Sequence, residues 1–576
     1  MISGFLLAAA LPNEVFLFGS PVLGLICLVP LFLALAECGS PKQAAAAGAV
    51  FALVSTPLSN YWLAFFKDFA FLTIGSVTGA YTLLFMVFAG FLWKFSRPGP
   101  YRPFLLAAFW TVYEFVKSTG YLAYPWGLVA YPVNDLLPLL QVADIAGIWP
   151  ISFLMALINA LGAEVLLARA AGTVTARTSG AATRSSRVSV ARAAGASIPD
   201  RGLPAPPARG FGAPPARGFG ALPARGFGAY SRTSGRHIAA SALFLTLLVL
   251  VFLGYGLARM SRPIPEAGRF TAVLVQQNVD PWLSGSREEA LLRIQELSRS
   301  GVAAAGGADL VVWSESSLFR PYGENRTRFL RQPPGDPFRP FLMDLGAPLL
   351  TGNPIVRDGP ERKVLNGVIL LAPDGEILDD YGKRHPVPMA EHVPFWEFRP
   401  VRDFFQKIVG LDSIWDLGER DTIFSLPVSG GRTIRFGAPI CFEDAFPYLC
   451  RRFVRSGADL LINLTNDAWS RMESAQTQHF VVARFRSIEM KRVLIRSTNA
   501  GLTSVIGPFG EIRAALPMFR EEVLAAEIPV FREESLTPYT RYGDYFPLGL
   551  AAILTLFLVR DKKSRGSRLF DGPAGS

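Results

Sequence analysis

The stretch "RTIRFGAPICFEDAF", residues 432–446, decides how the chain is read. Its first half is a short apolar run of the kind that forms a buried strand. The run ends on Cys441, followed at once by Phe442, Glu443 and Asp444. A structural cysteine belongs more naturally inside an apolar run. A cysteine at a strand end, with acids beside it, suits a polar pocket that stabilises a thiolate.

Working outward, similar runs recur between turn signals: "FTAVLVQ" (270–276), "DLVVWSE" (309–315), "PLLTGNP" (348–354), "GVILLAPDGEIL" (367–378) and "ADLLINLTND" (458–467). Helix-like segments at 286–304 and 474–491 lie between some of them. Residues 268–530 therefore read as one α/β layered domain with largely buried strands. Glu315 closes "VVWSE", Lys383 follows its strand as the last letter of "ILDDYGK", and Cys441 closes its own strand. Side chains at strand ends can converge on one rim. A free thiol is only a few per cent ionised near neutrality, so it needs a base or a nearby cation. Glu315 would take the proton. Lys383 would stabilise the thiolate and then an oxyanion, helped by the backbone N–H of Phe442. Position alone does not separate this set from a chance scatter of one Glu, one Lys and one Cys.

The rest of the chain is of another kind. Of 576 residues 50% are hydrophobic and the net charge is +11. A spanning helix needs about 20 mostly apolar residues. Stretches 45–66, 70–93, 103–121, 147–168 and 238–257 qualify, as does a shorter one at 545–559. Residues 2–36 read either as two short spans broken near Pro12–Asn13–Glu14 or as one span with a re-entrant piece. The lack of a basic leading region argues against a cleaved signal peptide there. Residues 169–236 contain "ARGFGAPPARGFGALPARGFGA" (208–229). Their composition buries no core and predicts a disordered linker. Eleven arginines there face one acid, Asp200. Between two spans, that excess reads as a cytoplasmic loop under the positive-inside rule rather than as an RNA-binding tract. Lys94, Arg97 and Arg102, and the tail Arg560, Lys562, Lys563, Arg565 and Arg568, then fall on the same side, with 268–530 outside. The four cysteines and four histidines show no zinc spacing, so neither a metal nor a cofactor is expected. A Cys441–Cys450 disulfide is not expected, because it would disable the nucleophile. His479 reads as a structural hydrogen-bonder on a helix. Glu114 and Lys117 are spaced to pair on one helix face, and an acid so far inside a span is a functional candidate.

"WSES" (313–316), "YGKRHPVPMAEHVPF" (381–395) and "PICFEDAFP" (439–447) resemble the three catalytic blocks of the nitrilase, or carbon–nitrogen hydrolase, superfamily. "INLTNDAWS" (462–470) and the run 476–510 extend the likeness. With "YEFVKSTGYLAYPWGLVAYP" (113–132), then Gln141, Gly147, Ser152 and Asn159, the chain is similar to the apolipoprotein N-acyltransferases over most of 1–168 and 238–560. The repeat linker is outside the likeness.

The resemblance implies a polytopic α-helical membrane bundle of about eight spans plus an extramembrane α/β nitrilase-like αββα sandwich. The divisions expected are a bundle at 1–168, the linker at 169–236, a span at 237–258, the periplasmic catalytic domain at 268–530, a span at 545–559 and a basic tail at 560–576. It implies an inner-membrane enzyme that moves an acyl chain from a phospholipid to the α-amino group of a diacylglyceryl-modified apolipoprotein, by ping-pong through a thioester, with no nucleic acid involved. Cys441 would be nucleophile, Glu315 base and Lys383 oxyanion stabiliser. Glu391 would hold the lysine and assist proton movement, and Phe442, Glu443, Asn366 and Trp282 would stand around the pocket. Met389, Ala390, His392, Ser314 and Ser470 depart from the family pattern without removing a catalytic group. The competing reading is a membrane-tethered amidase with a closed polar pocket. The apolar loop 392–415 favours a membrane-facing lid instead, unless Phe395, Trp396, Phe398, Phe404, Phe405 and Trp415 are ordinary core. A dead scaffold that presents the repeat linker is a third reading, which the intact Glu–Lys–Cys set opposes.

Overall fold

The computed structural model describes residues 1–65, 70–193, 233–279, 287–411, 413–533 and 535–570. Its α/β part holds twelve strands among the described residues. β1 (Glu266–Gln276), β2 (Leu310–Val312), β3 (Leu349–Arg357), β4 (Lys363–Leu371) and β5 (Ile377–Gly382) come first. Then follow β6 (Phe424–Val428), β7 (Arg432–Gly437), β8 (Leu460–Thr465), β9 (Val493–Thr498), β10 (Ser504–Ile506), β11 (Ile512–Ala515) and β12 (Glu522–Phe531). They form two six-stranded sheets, ordered β12-β1-β2-β3-β4-β5 and β11-β10-β9-β8-β7-β6. At the centre of each, β1-β2-β3 and β7-β8-β9 run parallel.

Strand alternation explains the layering. Successive side chains point to opposite faces. Val273, Val275, Val311, Leu349, Ile369 and Leu371 face outward, where they pack with Ile294, Phe338, Phe341 and Leu342 of the covering helices Arg287–Ala305 and Phe338–Leu345. Their neighbours Ala272, Leu274, Leu310, Val312, Leu350 and Leu370 face inward and join the core that holds Phe436, Leu460, Ile462 and Leu464 of the second sheet. The helices Pro447–Arg455 and Glu473–Met490 cover the far side. The result is the expected αββα sandwich.

The helical part begins with Ile2–Ala10, Pro21–Gly24 and Val29–Glu37, so 2–36 is broken as the Pro12–Asn13–Glu14 signal suggests. Asn13 shapes the break, its Oδ1 accepting from the N–H of Val15 at 2.8 Å and its Nδ2 donating to the carbonyl of Leu11 at 2.7 Å. Among the described residues, Leu72–Phe95, Trp149–Ala171 and Gly235–Met260 are long and apolar enough to cross a membrane. Pro41–Ser59 and Arg102–Lys117 are also helices, at 19 and 16 residues. The helix from Trp149 runs on to Ala193, into the stretch read as linker, and residues 194–232 lie outside the described ones. Arg102, grouped from the sequence with the cytoplasmic charges, is instead buried and paired with Glu164.

Every residue from Ser474 to Met490 is buried. One face of this helix packs on the second sheet, and its polar residues reach the membrane helices. Gln478 donates to the carbonyls of Pro12 and Ser59 at 2.8 and 3.0 Å, and Trp62 donates to Gln478 at 3.0 Å. Arg484 donates to the Asn134 carbonyl at 3.1 Å. One hydrophobic core runs without a break from Leu7 to Leu554.

Candidate active site

Glu315, Lys383 and Cys441 leave three different strands and meet at one end of the sandwich. Glu315 lies in the loop after β2, and Lys383 directly follows β5. Cys441 opens the helical turn Cys441–Ala445 past β7, held at φ +48°. That left-handed backbone is uncommon for a residue with a side chain and has to be held by its surroundings. Ile440 pairs in parallel with Leu464, so the turn sits beside the end of β8.

Lys383 Nζ lies 2.8 Å from Glu391 Oε1 and 3.5 Å from Glu315 Oε1. The Asn366 amide bridges the same two carboxylates, donating to Glu315 at 2.9 Å and to Glu391 at 3.1 Å. The backbone N–H of Asn466 donates to Glu315 Oε2 at 3.1 Å, and that of Val387 to Glu391 Oε2 at 2.7 Å. Burial pulls the Lys383 pKa down, but Glu391 and Glu315 outweigh it and hold it well above its ordinary value. Burial raises the Glu315 carboxyl, against the lowering field of Lys383. Burial and the charge of Glu315 raise the Cys441 thiol, with Lys383 opposing. At rest Cys441 is therefore a neutral thiol, with the Glu315 carboxyl group and the Lys383 ammonium held beside it.

Glu443 is fully buried and accepts from four donors. They are the N–H groups of Arg384 (2.7 Å), His385 (2.9 Å) and Ile440 (2.8 Å) and the hydroxyl of Tyr381 (3.0 Å). It ties the nucleophile's turn to the segment that carries Lys383, and burial raises its pKa to about 7. Asp444 is equally buried, so neither acid lies on the surface. His479 is the bridge expected of a structural histidine. Its Nδ1 lies 2.7 Å from Asp467 and its Nε2 2.9 Å from Asp444, which also pairs with Arg496. Asn463 Nδ2 donates to the carbonyls of Pro439 and Cys441, each at 3.1 Å.

The membrane helices reach the site through aromatic rings. Tyr124 stacks on Trp126, with centroids 5.1 Å apart, and Trp126 stacks on Phe442 at 5.4 Å. Behind them, Lys117 Nζ donates to the Trp126 carbonyl at 2.6 Å and Glu114 Oε1 accepts from Val129 N–H at 2.8 Å. The two charges expected to face each other on one helix thus each hold the backbone of the 126–129 turn. On the other side, Phe395, Phe398 and Phe404 are exposed rather than core, while Trp396, Phe405 and Trp415 are half-buried.

Of the residues singled out from the sequence, Asn366, Glu391, Phe442 and Glu443 come together with Glu315, Lys383 and Cys441, Glu443 as a support beneath the turn rather than as lining. Trp282 lies outside the described residues. Cys441 and Cys450 are both free thiols. Sequence reasoning missed Asn463, Trp126 and the acids around His479. "INLTND" held the signal, since polar residues alternating in a buried strand need partners.

Residues 3–161 match the apolipoprotein N-acyltransferase N-terminal domain and residues 271–536 the carbon–nitrogen hydrolase family. The chain is 37% identical over 570 residues to apolipoprotein N-acyltransferase 2 of Treponema denticola, covering 98% of this chain and 97% of that one. The chain belongs to the apolipoprotein N-acyltransferase family. The enzyme of that name from Geobacter metallireducens is 30% identical, with 95% and 91% covered, and that from Borreliella burgdorferi 28%, with 97% and 93% covered. Among solved structures, a carbon–nitrogen hydrolase from Helicobacter pylori covers 45% of this chain and 89% of its own, at 19% identity and a TM-score of 0.33.

Proposed function

We propose that this membrane acyltransferase moves a fatty acyl chain from a phospholipid to the N-terminal α-amino group of an S-diacylglyceryl-cysteine lipoprotein, through a thioester on Cys441. Glu315 takes the Cys441 proton, and the thiolate attacks the ester carbon of the lipid. An S–C bond forms, the C–O bond to glycerol breaks, and Glu315 returns the proton to the departing alkoxide. The lipoprotein amine then attacks the thioester carbon. An N–C bond forms, the C–S bond breaks, and the proton leaving nitrogen returns through Glu315 to sulfur. Lys383 stabilises the thiolate and each oxyanion, and Glu391 and Asn366 hold Lys383 and Glu315 in register.

The observation that carries this reading is the convergence of Glu315, Lys383 and Cys441 where Phe442, the residue after Cys441, stacks on Trp126 of the helical domain. A small-amide hydrolase has no use for a helical domain stacked on the residue beside its nucleophile. The exposed Phe395, Phe398 and Phe404 point the same way, because an apolar rim suits a lipid donor. The chain would cross the membrane about eight times. Lys94, Arg97, the arginine-rich linker and the C-terminal tail would lie in the cytoplasm, and residues 268–530 on the periplasmic face.

The test is to incubate the purified protein with phospholipid and no acceptor, and to weigh the peptide containing Cys441. An added acyl mass, removed by neutral hydroxylamine and absent from Cys441→Ala, is expected. A free Cys441 in folded protein overturns the transferase reading.

A further inference from the structure

Thr465 closes β8 beside the nucleophile, and its hydroxyl has no visible purpose in the fold. The residue is fully buried, and Oγ1 has no partner at full hydrogen-bond geometry among the described residues, its weak contacts being with the Cys441 thiol and the Asp467 carboxylate. A buried, unpaired hydroxyl destabilises a fold, and valine would fill the same space without that cost. The strand fixes where the hydroxyl points. Alternate residues of a strand share a face, so Thr465 looks the same way as Asn463, whose amide reaches the carbonyls of Pro439 and Cys441 at 3.1 Å. The Ile440–Leu464 bridge puts the next residues of the two chains, Cys441 and Thr465, side by side.

The geometry points to Thr465 as a further catalytic residue, whose hydroxyl donates a hydrogen bond to the Cys441 sulfur when that sulfur carries negative charge. A neutral thiol is a weak acceptor and leaves the hydroxyl to its contact with Asp467, whereas a thiolate is a strong acceptor that can take it over. The bond therefore forms as the proton moves from sulfur to Glu315, and again when the thioester breaks and sulfur leaves as an anion. Thr465 keeps its own proton throughout. Lys383 acts on the same charge, and the hydroxyl, like Lys383, favours the ionised thiol. Nearby Asp467 opposes both, which is a reason for the site to need a second donor.

The inference rests on Cys441 being the nucleophile, and alkylation by iodoacetamide tests it without any lipid. The rate at Cys441 is followed from pH 6 to 10 in detergent-purified full-length protein carrying Thr465→Val, Thr465→Ser or neither substitution. Thr465→Val should alkylate about tenfold more slowly at neutral pH, the loss expected for one hydrogen bond to a charged group. Its pH profile should shift upward and its melting temperature should not fall. Thr465→Ser, which keeps the hydroxyl, should stay near the native rate. Equal rates in all three proteins overturn the proposal, as does a serine variant as slow as the valine one. If Thr465→Val does not fold, Thr465→Ala is compared with Thr465→Ser by the same criterion. If Cys441→Ala still forms an acyl adduct with phospholipid, the nucleophile reading fails, a separate result from equal alkylation rates among the three proteins.

Discussion

The indole of Trp126 lies over the ring of Phe442 with their planes inclined by only 19°. This stack is where the helical domain touches the residue after the nucleophile. Trp126 is buried, and its backbone is pinned by Lys117. Trp126→Ala should destabilise the protein by about 3–5 kcal/mol, the usual result of truncating a buried aromatic. It should also slow thioester formation more than tenfold at saturating donor, about 1.4 kcal/mol or more of barrier. Trp126→Phe, which keeps a ring there, should recover most of the rate. Single-turnover acylation followed by mass spectrometry measures both.

Lys383 is shared between two carboxylates. Glu391→Gln leaves Glu315 as its sole anionic partner and draws the base into a tighter ion pair. Proton removal from Cys441 then becomes harder. Acylation should slow by about a hundredfold, the low end of what a positioned base contributes, while acceptor binding stays unchanged. Comparing the acylation rate constant with the KM for a lipopeptide acceptor separates the two effects.

Glu443 accepts from three backbone N–H groups and one phenol. Glutamine offers one oxygen, and its amide nitrogen would face donors. Glu443→Gln should therefore destabilise by about 2–4 kcal/mol, as one or two buried donors lose their partners. A lower melting temperature, together with a Cys441 less reactive toward iodoacetamide, would bear this out.

His479 carries a pH dependence. Burial alone lowers its pKa, but Asp467 and Asp444 outweigh burial and the opposing Arg496, and raise it to about 9. An unfolded histidine titrates near 6.5. The contribution to stability is therefore complete below about pH 6.5 and is lost as pH rises through about 9. At about 1.4 kcal/mol per pH unit the loss is roughly 3 kcal/mol. Denaturant unfolding at pH 6 and pH 9.5 should show native protein losing most of its advantage over His479→Gln at the higher pH.

The parts of the site legible in the sequence are those that short chain segments declare by themselves. Glu315, Lys383 and Cys441 each end an apolar run, and Glu391 follows Lys383 within one loop. The apolar runs at 270–276 and 309–315 declared the buried strands β1 and β2. The rest depends on how distant segments dock. Trp126 meets Phe442, and His479 meets Asp444, only once a membrane helix and the Glu473–Met490 helix have both packed against the second sheet. Thr465 meets Cys441 only through strand register. Glu443 read as a pocket residue because it follows the nucleophile, but the turn points it inward at backbone N–H groups. How far each apolar helix is covered by the rest of the protein was illegible for a related reason. Apolar length alone does not distinguish a lipid-facing helix such as Leu72–Phe95 from Arg102–Lys117, whose apolar residues are largely buried within the protein.

The Glu473–Met490 helix has a practical meaning for anyone who wishes to cut this protein in two. Its hydrogen bonds to Pro12, Ser59 and Asn134 are made by groups that, in an excised 268–530 fragment, would face open water along a helix now buried from Ser474 to Met490. Such a fragment would bare the outer face of this helix, which the helical half now covers, and clump. The reacting half of the molecule has the outline of a water-soluble hydrolase, yet it has lost the ability to live apart from the lipid.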